Sequence, residues 1–145
     1  LETLELRVER MNDNAAKVAD YLADHTGLRN VRYPGRKDFP QHELAMRQMS
    51  GRGGNIIAFD APGGREQAFA ILDSLRIIDI SNNIGDAKSL MTHPASTTHQ
   101  GVPAEARAEA GIGEGMLRLS VGLEHVDDLI EDLAQALAKA GLKAE

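Results

Sequence analysis

Six residues narrow the possible folds of this chain most: Met116-Leu-Arg-Leu-Ser-Val121, whose polarity alternates with period two. Leu117, Leu119 and Val121 fall on one face, and Met116, Arg118 and Ser120 on the other. Gly113, Gly115 and Gly122 bracket the run, so it reads as a strand with one buried face. A helix layer over the Leu/Leu/Val face would leave Arg118 on a stiff element, pointing away from the core. Its planar guanidinium would then be free for a carboxylate or a phosphate.

The flanking sequence supplies that layer. Leu1, Leu4, Val8, Met11, Ala15, Val18 and Leu22 recur at 3-4 spacing, the stripe of a packed helix, and Gly27 follows as a terminator. Val126, Leu129, Ile130, Leu133 and Leu137 form a second stripe over 126–140. Glu124, Asp127 and Asp128 stand at its positive end and Lys139 and Lys143 at its negative end, as the helix dipole prefers. Between these, Val31–Tyr33 and Ile77–Ile80 read as strands, and Asn55–Asp60 as a strand covered on both faces. Arg65–Leu75 reads as a helix with Ala68, Phe69, Leu72 and Leu75 inward, and 43–49 and 103–110 as short helices. Ser81–Asp86 and Thr92–Gly101 read as polar loops. This order predicts an α/β layer: a small mixed or antiparallel sheet with helices on one face and the other face left open.

At 145 residues the chain has the size of one domain. A net charge of −6 with scattered basic residues argues against nucleic acid and against a polybasic membrane surface. No apolar run reaches the ~20 residues of a membrane span, so a cytoplasmic protein is expected. The absence of cysteine excludes disulfides, thiol nucleophiles and cysteine-bound zinc. The chain opens inside a helical pattern without Met, which suggests a fragment.

Few residues then remain for chemistry. Glycine-rich phosphate loops and a G-x-S-x-G nucleophile turn are missing. His93 and His99 are too widely spaced to suggest zinc, so loop hydrogen bonds are expected and no metal. Lys88 reads as a surface or salt-bridge residue, because nothing around it would desolvate an amine. What survives is a three-point anion site: Arg118 as the charged fork, with Asn83 and Thr98 donating from the two polar loops. The plainer alternative is that Arg118 is merely solvated or salt-bridged.

Several stretches also resemble one enzyme family in order and spacing. They are Leu1-Glu-Thr-Leu-Glu-Leu-Arg7, Tyr33-Pro-Gly35, Pro40-Gln-His-Glu-Leu44, Asn82-Asn-Ile-Gly-Asp-Ala-Lys-Ser-Leu90, His93-Pro-Ala-Ser-Thr-Thr-His99 and Gly115-Met-Leu-Arg-Leu-Ser-Val-Gly-Leu-Glu124. Together they resemble the C-terminal part of the Cys/Met-metabolism pyridoxal-phosphate enzymes. The resemblance implies the small C-terminal domain of a type I, aspartate aminotransferase-like fold. Residues 1–26 would be its interdomain helix and 27–145 its α/β layer, with the N-terminal cofactor-binding domain absent from this chain. It implies that Arg118 holds the α-carboxylate of an amino-acid substrate, with Thr98 close by. It also puts Asn83 where the family commonly has a substrate-holding serine, and Asn82 at a position that varies with substrate preference.

The Asn-Asn-Ile-Gly-Asp-Ala-Lys-Ser version is most similar to homoserine-ester sulfhydrylases, with a γ-lyase or γ-synthase as the alternative. An amino-acid-sensing α/β module is the non-enzymatic one. Pyridoxal phosphate is the implied cofactor, held mainly by the missing domain together with the Schiff-base lysine. The implied partners are that domain and further copies in a homotetramer.

Overall fold

The structure is a computed structural model that describes residues 1–143. In chain order the elements are α1 (Leu4–Asp24), β1 (Arg29–Arg32), α2 (His42–Gln48), β2 (Ile56–Asp60), α3 (Gly64–Ser74), β3 (Asp79–Ile80) and β4 (Leu90–Thr92). A 3-10 turn at Pro94–Ser96, α4 (Ala104–Glu109), β5 (Met116–Ser120) and α5 (Val126–Lys139) complete them. The sheet order is β1-β2-β5-β4-β3, so the alternating segment is the middle strand. It is antiparallel to both neighbours, while β3 runs parallel to β4, which makes the sheet mixed as expected.

Register explains the core. Leu119 lies opposite Ile57 on β2 and Met91 on β4, and Leu117 lies opposite Phe59, so these side chains share one face. All are buried against Ala15, Val18 and Leu22 of α1, Ile71 of α3, and Leu129, Leu133 and Leu137 of α5. Full burial of each large aliphatic side chain contributes about 1.5–3 kcal/mol, so three helices on a single face are enough to hold the sheet. Two buried asparagines in this layer are satisfied. Asn14 of α1 donates to the Gly122 and Glu124 carbonyls (3.0 and 2.9 Å), and Asn12 Oδ1 accepts from Gly54 N–H (2.7 Å).

Several expectations need correction. β2 alternates in burial and is not covered on both faces, because helices lie on one side only. The opposite face is not simply open: Leu90, Thr92, Met116 and Ser120 are all buried there. β4 was not expected at all. Its three residues are too few for periodicity to register, and hydrogen bonding to β5 defines it. On α3, Ala68 and Leu72 are inward as expected, but Ile71 joins them in place of Phe69, which is 40% exposed and meets the His93 ring edge-on, with centroids 5.1 Å apart. The α1 stripe is buried only from Met11 onward, leaving Leu1, Leu4 and Val8 exposed. Glu124 does not serve the dipole of α5, since its carboxylate takes Ser89 N–H and Oγ–H (2.7 and 2.9 Å). His125 caps that helix, accepting from Asp127 N–H.

Candidate active site: the outer face of the central strand

A cross-strand row runs over the helix-free face: Arg32 on β1, Ala58 on β2, Arg118 on β5 and Thr92 on β4. The two arginines differ in how they are satisfied. Arg32 pairs with Asp60 (3.5 Å) and donates to the Gly111 carbonyl (3.3 Å). Arg118 Nη2 donates to the Asn82 backbone carbonyl (2.7 Å), while its Nε is buried with no acceptor among the described residues. No ion pair to Arg118 is found among them either. With one donor on the Asn82 carbonyl and no carboxylate partner among the described residues, the remaining Nη–H groups are the ones an external carboxylate could meet. Ala58 beside it is small enough to leave the space.

Strand β5 also holds the loop that faces this guanidinium. Two residues beyond Arg118, Ser120 Oγ accepts from Gly85 N–H (3.0 Å) and from Asn55 Nδ2 (3.3 Å). At the strand's end, Gly122 N–H donates to Ser89 Oγ (2.8 Å), which itself donates to Glu124. A Cβ on Gly122 would stand 2.4 Å from the Ala87 carbonyl oxygen, so only glycine permits this approach. The strand's entry is equally constrained. Ala61 N–H donates to the Gly115 carbonyl (2.9 Å), and Glu114 sits between Arg65 and Arg107 (2.7 and 3.1 Å). The hydrogen bond from Arg65, aided by that from Arg107, holds the Glu114 carboxyl below the usual carboxylate range.

The predicted site residues come together unevenly. Asn82 touches Arg118 through its carbonyl and Thr92 Oγ1 through Oδ1 (2.8 Å). Asn83 is next in that loop and exposed, its N–H donating to Ser81 Oγ (3.3 Å). Thr98 is exposed and its hydroxyl bonds His99 Nδ1 (2.8 Å); the neighbouring Thr97 is the one that reaches Thr92 (2.9 Å). Thr92, Thr97 and Ser120 went unnoticed in the sequence because their role depends on register across strands. Arg7 of α1 borders an open cavity of about 570 Å³ against the Asn82–Ala87 loop, and its Nε is buried without an acceptor among the described residues.

His93 is structural as expected, bonded to Ser96 Oγ and the Glu114 carbonyl (2.8 and 2.7 Å). No metal-binding cluster occurs among the described residues. Lys88 is exposed and ion-paired with Asp79, a bond that raises its pKa. Lys17, Lys37, Lys139 and Lys143 are exposed as well, so no described lysine stands in a protected pocket where a carbonyl cofactor would be anchored.

A half-buried strand arginine, two polar loops and a helix-backed mixed sheet make up this face. The chain belongs to the Cys/Met metabolism PLP-dependent enzymes, whose family pattern it matches over residues 1–138. It is 51% identical over 142 residues to an O-succinylhomoserine sulfhydrylase of Mycobacterium tuberculosis, covering 95% of this chain and 35% of that one. It is 45% identical over 139 residues to an L-methionine gamma-lyase of Treponema denticola, covering 96% and 34%. A crystal structure of a putative O-acetylhomoserine (thiol)-lyase from Campylobacter jejuni, with N'-pyridoxyl-lysine-5'-monophosphate, superposes with a TM-score of 0.89 at 39% identity, covering 94% and 32%. The α/β domain with a mixed sheet is thus that of pyridoxal-phosphate-dependent enzymes. The chain spans about a third of the length of the curated relatives it matches.

Proposed function

We propose that this chain is the C-terminal substrate-carboxylate-binding domain of an O-succinylhomoserine (or O-acetylhomoserine) sulfhydrylase. The complete enzyme would make homocysteine from the homoserine ester and sulfide, releasing the acid. The observation that carries the reading is Arg118 on the helix-free face, oriented by the Asn82 carbonyl and without a carboxylate partner among the described residues. The 51% identity to an O-succinylhomoserine sulfhydrylase supports the choice within the family. Pyridoxal phosphate supplies the electron sink for such chemistry. On this reading its lysine, phosphate loop and ring-nitrogen partner belong to the preceding domain, and the cofactor is bound mainly there.

This chain's residues orient the substrate. Arg118 would grip the α-carboxylate through two parallel hydrogen bonds and so orient the amino acid for the chemistry that the cofactor would supply. Asn83 and Thr98 donate from the loops on either side, and Asn82 sets the direction of the fork. The apolar residues left exposed on α1, Leu1, Leu4 and Val8, face the preceding domain, with α1 as the interdomain helix. By the same resemblance the enzyme is a homotetramer.

In the complete enzyme, Arg118→Ala is expected to raise KM for the homoserine ester by the equivalent of about 2–5 kcal/mol of lost charged pairing. Steady-state assay of sulfide-dependent homocysteine formation checks this, and an unchanged KM removes Arg118 from the site. The similarity to an L-methionine gamma-lyase favours one second reading, a γ-lyase. Methionine breakdown faster than ester-plus-sulfide turnover would establish it instead.

A further inference from the structure

We propose that Thr92 is a positioning residue for carboxylate binding, acting on Arg118 through Asn82; the inference rests on the carboxylate reading above. Thr92 is directly cross-strand from Arg118 and is only 1% exposed. A buried β-branched position on a strand is filled equally well by valine, so the hydroxyl adds only desolvation cost unless its bonds matter. One of those bonds leads to the arginine. Thr92 Oγ1 donates to Asn82 Oδ1 (2.8 Å), and the Asn82 carbonyl accepts from Arg118 Nη2 (2.7 Å); Thr97 Oγ1 lies 2.9 Å from Thr92 Oγ1 but gives its own proton to the His93 carbonyl (2.7 Å).

The chain leaves the sheet just before this point, since Ser81 N–H is still bonded to the Met91 carbonyl (3.1 Å). It is next tied to β5 at Gly85, through Ser120. Asn82 therefore stands at the root of an otherwise exposed loop, with its side chain held by Thr92 and its carbonyl on the arginine. Releasing the side chain lets the carbonyl swing, and the guanidinium turns with it. Pairing between two parallel N–H donors and a carboxylate depends steeply on that rotation. Thr92 touches no part of the substrate in this scheme; it sets the angle at which Arg118 meets it.

The test is kinetic, in the full-length enzyme that carries this chain. Thr92→Val should raise KM for the homoserine ester about fivefold to twentyfold, the effect of a single lost positioning hydrogen bond, with kcat within about twofold. Thr92→Ser, which keeps the hydroxyl, should restore the parent KM. In an Arg118→Lys background, where no fork remains to be aimed, Thr92→Val should add nothing. If Thr92→Val does not fold, Asn82→Ala removes the same bond from an exposed position and must give the same rise in KM.

A Thr92→Val KM within twofold of the parent, or an equal penalty in the Arg118→Lys background, overturns the proposal. Arg118→Ala separates the two levels of inference. If it raises KM while Thr92→Val is silent, only the role of Thr92 falls; if it leaves KM unmoved, the carboxylate reading falls and takes Thr92 with it.

Discussion

Tyr33 is 2% exposed, its ring wedged against Gly35 and Gly53 so closely that a Cβ on Gly53 would stand 2.5 Å from the ring. Its hydroxyl donates to the Gly54 carbonyl (3.0 Å). Burial, with smaller contributions from Asp20 and Asp13, pushes its pKa up from 10.0 to about 12. The folded state thus keeps a proton that the unfolded chain releases earlier. Its stabilising contribution is complete below the unfolded value of 10.0 and is lost as pH rises through the folded value of about 12. Tyr33→Phe should cost about 1 kcal/mol at neutral pH through the lost hydrogen bond. It should also flatten the alkaline fall in stability. Urea denaturation of parent and variant, at neutral pH and between the two pKa values, checks both; parallel curves at the two pH values would contradict the assignment.

A carboxylate does the corresponding work for whole elements. Asp132, on α5, is 3% exposed and accepts from the N–H groups of Arg76, Ile77 and Ile78 (2.9, 2.9 and 3.0 Å). These are the residues by which the chain leaves α3 and enters β3, so one side chain supplies the acceptors that a two-residue strand cannot. Gln135 adds a fourth bond (3.0 Å). Asp132→Ala strands three backbone donors and should destabilise the fold by about 3–5 kcal/mol, the range for a broken buried charge contact. The lesion should loosen β3 first, because β3 meets only the edge of β4. Amide hydrogen exchange should show protection lost at Ser81, whose N–H is bonded to Met91, before any loss in β5; uniform loss would count against this local role.

On the reading proposed above, the whole molecule contributes binding and leaves the chemistry to the preceding domain. The sheet aims Arg118 outward, but every described lysine is exposed. On that reading, the 145-residue chain alone should form no homocysteine from O-succinylhomoserine and sulfide when supplied with pyridoxal phosphate. Its absorbance spectrum with the cofactor should match free pyridoxal phosphate. Measurable turnover, or a shifted cofactor band, would show that the chain holds more of the site than its own side chains suggest.

The sequence alone determined the helix stripes, the central strand and the direction of Arg118, because period and polarity are local properties of consecutive residues. Its motifs also pointed to the right enzyme family, and the match over residues 1–138 bears that out. Tertiary structure decided what lies beside the arginine. Strand β4 exists only through pairing with β5, and that register makes Thr92, 26 positions earlier in the chain, the neighbour of Arg118. It also made Asn82 contribute a backbone carbonyl in addition to its amide and gave Thr97 the contact to Thr92, since hydrogen bonds between loops depend on where the sheet brings them. No spacing rule along one chain encodes a contact across a strand pair until the pairing is known.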